Sequence, residues 1–210
     1  MALILASTSP RRHELLALLG LQFDVRTPCF EERLVADRPA IEQVQSFAQG
    51  KAQLVAKQEP EAIVLGSDTV IELDQGVLGK PADLGEARAM LRRLAGRDHY
   101  VHTAVALTCL ARAIDVVGLS TAVVRMKPFD ERVHEHYLAT GESFGKAGAY
   151  SIQGKGGDLV HSVNGDFLTV VGLPLRLVSH LLGQADVKVP VDLNELYVTK
   201  PYANWARFPG

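Results

Sequence analysis

Five apolar residues, Ala2 to Ala6 (ALILA), run directly into Ser7-Thr8-Ser9-Pro10-Arg11-Arg12, and this junction constrains the fold more than any other stretch. The apolar run is short and uninterrupted, as expected of a buried strand. Ser9 before Pro10 is the pairing of a helix N-cap with a first helical residue. Leu15, Leu16, Leu18 and Leu19 supply the helix's apolar side, and Gly20 supplies its stop. A strand that feeds a helix at once belongs to an α/β chain.

The remaining pattern extends that reading. A strand is expected at Leu21 to Val25, and a helix from about Pro39 to Lys57, with Ile41, Val44, Phe47 or Ala48, and Leu54 or Val55 at helical spacing. Ala62 to Leu65 and Val70 to Leu73 read as strands interrupted by Gly66-Ser67-Asp68. Asp83 and Glu86 form a capping box that opens a helix ending at Gly96. Tyr100 to Cys109 and Ile114 to Val124 are β-rich, and a helix is expected from Phe129 to Leu138. Gly141 to Gly157 reads as a glycine-rich loop with a brief strand. Val160 to Val163 and Phe167 to Val171 flank Asn164-Gly165, a hairpin signal. Pro174 to Leu182 predicts a last amphipathic helix. Long strands mixed with hairpins argue against a purely parallel sheet. The expectation is α/β with a mixed, strongly curved sheet flanked by helices. Residues 1–183 would form one domain, and 184–210 an extension whose only tryptophan, Trp205, packs it on the body.

Composition narrows the function classes. The formal net charge is -2, so no global positive field exists to hold a nucleic-acid backbone. Anion binding must come from a local cluster. The two cysteines, Cys29 and Cys109, form no C-x-x-C pair, and no run approaches the length of a membrane span. The first apolar stretch is too short for a signal peptide, and its charges follow instead of preceding it. A reducing cytoplasm is the expected location.

Local clusters carry the chemistry. The Ser7–Arg12 junction combines unpaired helix N–H groups, the positive dipole end, hydroxyls and two guanidinium groups, a combination suited to phosphate. The plainer reading is a capped helix with solvated arginines. Adjacent arginines cannot share one helical direction, which leaves one free for a structural role. Neither the glycine spacing nor the Gly-Lys-Ser/Thr ending of a Walker loop is present. Asp68, held between apolar segments, suits a hard-metal ligand or a base on water, or else a hydrogen bond to its own turn. One of Glu31 and Glu32 is a second ligand candidate, and the plainer reading of the pair is a solvated turn. Lys51 and Lys80 suit phosphate neutralisation and equally an ordinary surface role, and Lys146 and Gln153 lie in the glycine-rich loop. His99 and His102 alternate faces of a strand, and His134 and His136 diverge on a helix, so neither pair converges on zinc.

Taken together, LASTSPRRHELLALLG (Leu5 to Gly20), Glu32, Gly50-Lys51-Ala52, LGSDTVIELDQGVLGKP (Leu65 to Pro81), LRRLAGRDHYVHTAVAL (Leu91 to Leu107), GESFGKAGAYSIQGKGG (Gly141 to Gly157) and VNGDFLTVVGLPL (Val163 to Leu175) resemble the Maf family of nucleotide pyrophosphatases. The resemblance covers roughly residues 3 to 182. It implies an inosine-triphosphatase-like architecture, elongated, with two lobes around a central cleft, and two further features are implied by the resemblance alone: a divalent metal (Mg²⁺ or Mn²⁺) and a homodimer. By resemblance, Ser7, Arg11, Arg12, Lys51 and Lys80 attend the phosphates, and Glu32 and Asp68 serve the metal and the attacking water.

Lys146 to Gly154 is similar to the branch that prefers dTTP and UTP. Gln153 stands where the 7-methyl-GTP branch typically has Glu. Gly145 and Ser151 depart from the usual Asp and Gly. The activity implied is hydrolysis of dTTP and UTP to monophosphate and pyrophosphate, with Asp68, Arg12, Lys51 and Lys80 catalytic. The alternatives are a pyrophosphatase for a modified purine nucleotide and a nucleotide-binding regulator linked to septum formation.

Overall fold

The central strand, β3 (Ile63–Leu73), passes without a break through Gly66, Ser67 and Asp68, where the sequence suggests an interruption. The computed structural model describes residues 2–36 and 38–208, so Pro209 and Gly210 of the expected extension lie outside the described residues. Continuity at Gly66 comes from α2 (Ala40–Ala56), which lies directly on the strand. A Cβ at Gly66 would come within 2.3 Å of the Ala48 carbonyl oxygen and 2.8 Å of the Ala52 nitrogen. Glycine here permits a close helix–strand approach instead of ending the strand.

Seven strands form one mixed sheet among the described residues. The order is β2 (Asp24–Arg26), β1 (Leu3–Ala6), β3, β5 (Asp98–Cys109), β6 (Ile114–Met126) and β7 (Val160–Asn164), with β4 (Gly76–Leu78) paired to β3. β1 lies parallel to β2 and β3, and the other pairings are antiparallel. The mixed sheet and flanking helices agree with the α/β expectation.

Strong curvature does not. The sheet is an open path ending in β2 and β7. β3 and β5 pair continuously from Val64↔Thr108 to Glu72↔Tyr100, and β5 and β6 from Asp98↔Arg125 to Cys109↔Ile114. The register shift falls at Arg125/Met126, against the short β7. Sheets bend sharply at bulges and kinks, and the central pairings contain no such shift.

The two faces are covered unequally. α2 packs Val44, Ala48, Ala52 and Val55 against Ile4, Val64 and Ala104. The opposite face buries Leu5, Leu65 and Leu107 under α1 (Pro10–Ala17), α3 (Leu84–Leu94) and the C-terminal helices. Asp83 caps α3 by accepting from Glu86 N at 2.8 Å, and Glu86 Oε2 accepts from Ala82 N at 2.7 Å. α4 covers Glu131–Ala139.

The expected hairpin after Asn164-Gly165 is absent. Phe167–Val171 is a short helix, α5, whose cap Asp166 accepts from Leu168 N at 2.9 Å. Phe167, Leu168, Thr169 and Val171 are buried, and a short apolar run of this kind does not by itself distinguish strand from helix. Gly172, at φ 119°, ends the turn. The strand expected inside Gly141–Gly157 is replaced by 3₁₀ turns at Ala147–Ala149 and Lys155–Leu159. α6 (Leu175–Gln184) and α7 (Leu193–Thr199) follow, and Trp205 is buried with its ring stacked on Phe167.

One feature of the topology positions the site. β1 pairs with Leu3-to-Ala6 partners Ile63 to Gly66, and β4 pairs with Ile71 to Leu73 on the same edge, because β5 occupies the other. Ser67 to Val70 therefore have no strand partner on that edge among the described residues. The chain leaves β1 at Ser7 just where this notch opens.

Candidate active site

The notch opens into a cavity of about 370 Å³. All nine residues singled out from sequence line it: Ser7, Arg11, Arg12, Glu32, Lys51, Asp68, Lys80, Lys146 and Gln153. Of the two glutamates, Glu32 reaches it. Glu31 is exposed and pairs with Arg33 at 2.9 Å. Successive strand residues point to opposite faces, so Asp68 and Thr69 approach from opposite sides of the sheet. A single ligand can meet both only where the strand edge is open.

On one side stand the carboxylates. Lys51 Nζ, from α2, donates to Glu32 Oε1 and to Asp68 Oδ1, each at 2.5 Å, and Lys80 Nζ donates to Glu32 Oε2 at 2.7 Å. Burial alone would raise Glu32, but Lys51 and Lys80 hold its pKa down to about 2. Asp68 goes the other way: burial raises its pKa, assisted by Glu32, against the pull of Lys51 and Arg12. Two neighbouring carboxyls are thus separated in proton affinity by their surroundings.

Among the described residues no group of three or more His, Cys, Asp or Glu side chains is placed to hold a metal. The two carboxylates nevertheless fit Mg²⁺ or Mn²⁺. Such ions take one or two protein carboxylates with phosphate and water completing the shell, and Asp68 Oδ2 has no hydrogen-bond partner among the described residues.

On the other side stand the cations. Arg12 Nε donates to the Gly172 carbonyl at 2.9 Å, and its NH2 group donates to Thr69 Oγ1 at 3.1 Å. These bonds fix the guanidinium plane, while burial lowers its pKa against the favourable charges of Asp68 and Glu32. Arg11 is lowered by burial and by Arg12, and its buried Nε has no hydrogen-bond partner among the described residues. Lys146 is lowered by burial and then by Arg11. Burial depresses all three cations, Arg12 adds to the effect on Arg11 and Arg11 to that on Lys146, and their common place on one cavity wall suits a multivalent anion. Ser9 takes the N-cap position of α1 as expected, but its hydroxyl caps nothing, and the Ser9 amide donates to Ser7 Oγ at 3.1 Å.

Sequence reasoning assigned nothing to Thr69, Phe30 or Tyr150 as cavity residues, or to the Gly172 carbonyl. Thr69 carried a signal, its place directly after Asp68. The Gly172 carbonyl carried none, because it depends on α5 replacing a strand. Two of the histidines have protein partners: His99 Nε2 bonds the Tyr150 hydroxyl at 2.8 Å, and His102 lies between Thr121 and Glu72.

The family profile described as Maf-like protein matches residues 2–185. A dTTP/UTP pyrophosphatase of Symbiobacterium thermophilum is 48% identical over 183 residues, covering 87% of this chain and 93% of that protein. A dTTP/UTP pyrophosphatase of Dictyoglomus thermophilum is 42% identical over 183 residues, covering 87% and 95%. The Staphylococcus aureus Ham1 protein covers 60% of this chain and 72% of its own at 14% identity and a TM-score of 0.43, too small a likeness to argue from.

Proposed function

The chain belongs to the Maf-like protein family, and on that premise we propose that it hydrolyses dTTP and UTP at the α–β phosphoanhydride bond, giving the nucleoside monophosphate and pyrophosphate. The observation that carries the reading is the opposition, across one cavity, of the Lys51-bridged carboxylates and the Arg11–Arg12–Lys146 cluster. A triphosphate needs both: cations along its length and a base beside the phosphorus under attack.

Asp68 takes a proton from water, whose oxygen forms a bond to the α-phosphorus as the bridging oxygen to the β-phosphorus departs with pyrophosphate. Its raised pKa suits it to hold that proton transiently. Arg12, with its plane fixed by Gly172 and Thr69, meets charge developing on the leaving group without reorganising. Lys51 keeps Asp68 and Glu32 in register, and Lys80 holds the outer oxygen of Glu32. Asp68 and Glu32 are the residues that would hold a divalent cation, which when bound would supply neutralisation of phosphate charge. Ser7, Arg11 and Lys146 complete the phosphate contacts. Gln153, at the cavity wall, has one amide donor for a 4-oxo group and one acceptor for the N3–H of thymine or uracil.

The catalytic unit is residues 1–183, with 184–210 an extension of it, working in the cytoplasm as a homodimer. The test is incubation of dTTP with and without Mg²⁺. The expected products are dTMP and pyrophosphate, with turnover lost on chelation. Asp68→Asn is expected to lower kcat by about 10²–10⁴-fold with the fold intact. Release of dTDP and orthophosphate, or full activity in Asp68→Asn, contradicts the reading.

A further inference from the structure

Asn204 grips the backbone on both sides of Gln153. Its Nδ2 donates to the carbonyls of Ile152 and Gly154, each at 2.9 Å, and its Oδ1 accepts from the NH1 group of Arg207 at 3.2 Å. Carbonyls only accept and a guanidinium only donates, so the orientation of the amide is settled by its partners. Both amide hydrogens are used. Asn204 stands at φ 62°, a left-handed conformation that asparagine tolerates better than most residues. The loop leaves room for it: a Cβ at Gly157 would come within 2.8 Å of Asn204 Nδ2 and 2.7 Å of the Ile152 carbonyl oxygen.

Asn204 lies beyond residue 185, where the family match ends. The segment carrying it is anchored to the elements that form the phosphate end of the cavity. Tyr202 donates its hydroxyl to Glu14 on α1 at 2.7 Å, and Tyr197 donates to Asp166, the cap of α5, at 2.7 Å. Trp205 stacks on Phe167, and Arg207 pairs with Asp158 at 2.9 Å. Arg12 belongs to α1, and the Gly172 carbonyl that holds it closes α5. The extension thus ties the loop carrying Gln153 to the frame that carries Arg12.

We propose that Asn204 is a specificity-determining positioning residue, holding the Ile152–Gly154 backbone so that Gln153 presents its amide to the pyrimidine edge. The inference rests on the dTTP/UTP reading above. Without Asn204 the Ile152 carbonyl loses its donor, the Gly154 carbonyl keeps only the Gly157 amide, and the glycine-rich loop loses its clasp. Gln153 then samples orientations that no longer match the base. A substrate that uses the edge loses binding, while one that cannot use it loses little.

The experiment is a measurement of kcat and KM for dTTP, UTP and GTP with the full chain and with Asn204→Gly, Asn204→Asp and Tyr202→Phe. Glycine keeps the left-handed backbone and removes the amide. Aspartate keeps the size but turns an acceptor toward two carbonyls. Both are expected to lower kcat/KM for dTTP and UTP about tenfold or more, chiefly through KM, with GTP hydrolysis unchanged. The pyrimidine-to-purine ratio therefore falls, whereas Tyr202→Phe retains it. Where either variant melts below the assay temperature, Asn204→Ser, with its single short donor, is read by the same ratio. An unchanged ratio in a folded Asn204 variant, or an equal loss for all three nucleotides, overturns the proposal. Absence of dTTP and UTP turnover in the unsubstituted chain overturns the functional reading, and this inference with it, so the two failures are distinguishable.

Discussion

Lys51 Nζ lies 2.5 Å from Asp68 Oδ1, and both side chains are only 7% exposed. The same ammonium reaches Glu32 Oε1 at 2.5 Å, so one lysine on α2 holds the two carboxylates on which the proposed chemistry depends. A buried pair of this kind costs desolvation that its mutual attraction offsets, and removing one member leaves the other charge uncompensated.

Lys51→Met is accordingly expected to destabilise the fold by about 3 kcal/mol in denaturant unfolding at neutral pH. It also removes an attraction that lowers the pKa of Asp68, so the acid limb of the kcat/KM profile should move to higher pH. An unmoved acid limb would show that Asp68 is not the titrating base.

Arg12→Lys keeps the charge but not the fork. Arg12 uses Nε for the Gly172 carbonyl and NH2 for Thr69, and a lysine ammonium cannot reproduce both contacts while facing a phosphate. The expected loss in kcat/KM for dTTP is about 10²-fold. Activity within twofold of the unsubstituted chain would mean that charge alone suffices.

His99 predicts an acid-sensitive fold. Burial depresses its pKa from 6.5 to about 4, and its Nδ1 is buried without a hydrogen-bond partner among the described residues. The folded state therefore holds His99 neutral where the unfolded chain would protonate it. Its contribution is fully present above about pH 6.5 and is lost as pH falls toward 4, in total about 3 kcal/mol. Unfolding curves across that interval should flatten in His99→Gln. An unchanged slope in that variant would assign the acid sensitivity to other groups.

Gly66→Ala tests the packing that carries Lys51 to the site. The new Cβ would lie 2.3 Å from the Ala48 carbonyl oxygen, so α2 must shift outward. Overpacking of this kind costs about 1–3 kcal/mol. Because Lys51 rides on α2, activity should fall more than thermal stability alone explains. Retained activity at a temperature well below the melting point would show that the helix can move without disturbing the carboxylates.

Short-range order was legible in the residues themselves. The start of α1 at Ser9-Pro10 and the capping box of α3 depend on hydrogen bonds spanning three or four positions, and the helical spacing of α2 depends on its own apolar residues. Local clustering of charge and the motif resemblance together singled out the nine cavity residues, from Ser7 to Gln153. Both kinds of signal are contained within contiguous stretches.

What only the tertiary structure decided involves partners far apart in the chain. Gly66 looks like a break until Ala48 and Ala52 are seen lying on it, and Phe167–Val171 forms a helix within a buried environment contributed by remote elements. The open sheet, the unpaired edge at Ser67–Val70 and the grip of Asn204 on the Gln153 loop likewise arise between distant segments. Local propensity acts over a turn or a strand. Which edge stays open, which face is covered and which carbonyl meets which donor are set by packing of the whole chain, and those choices turn scattered charges into one cavity.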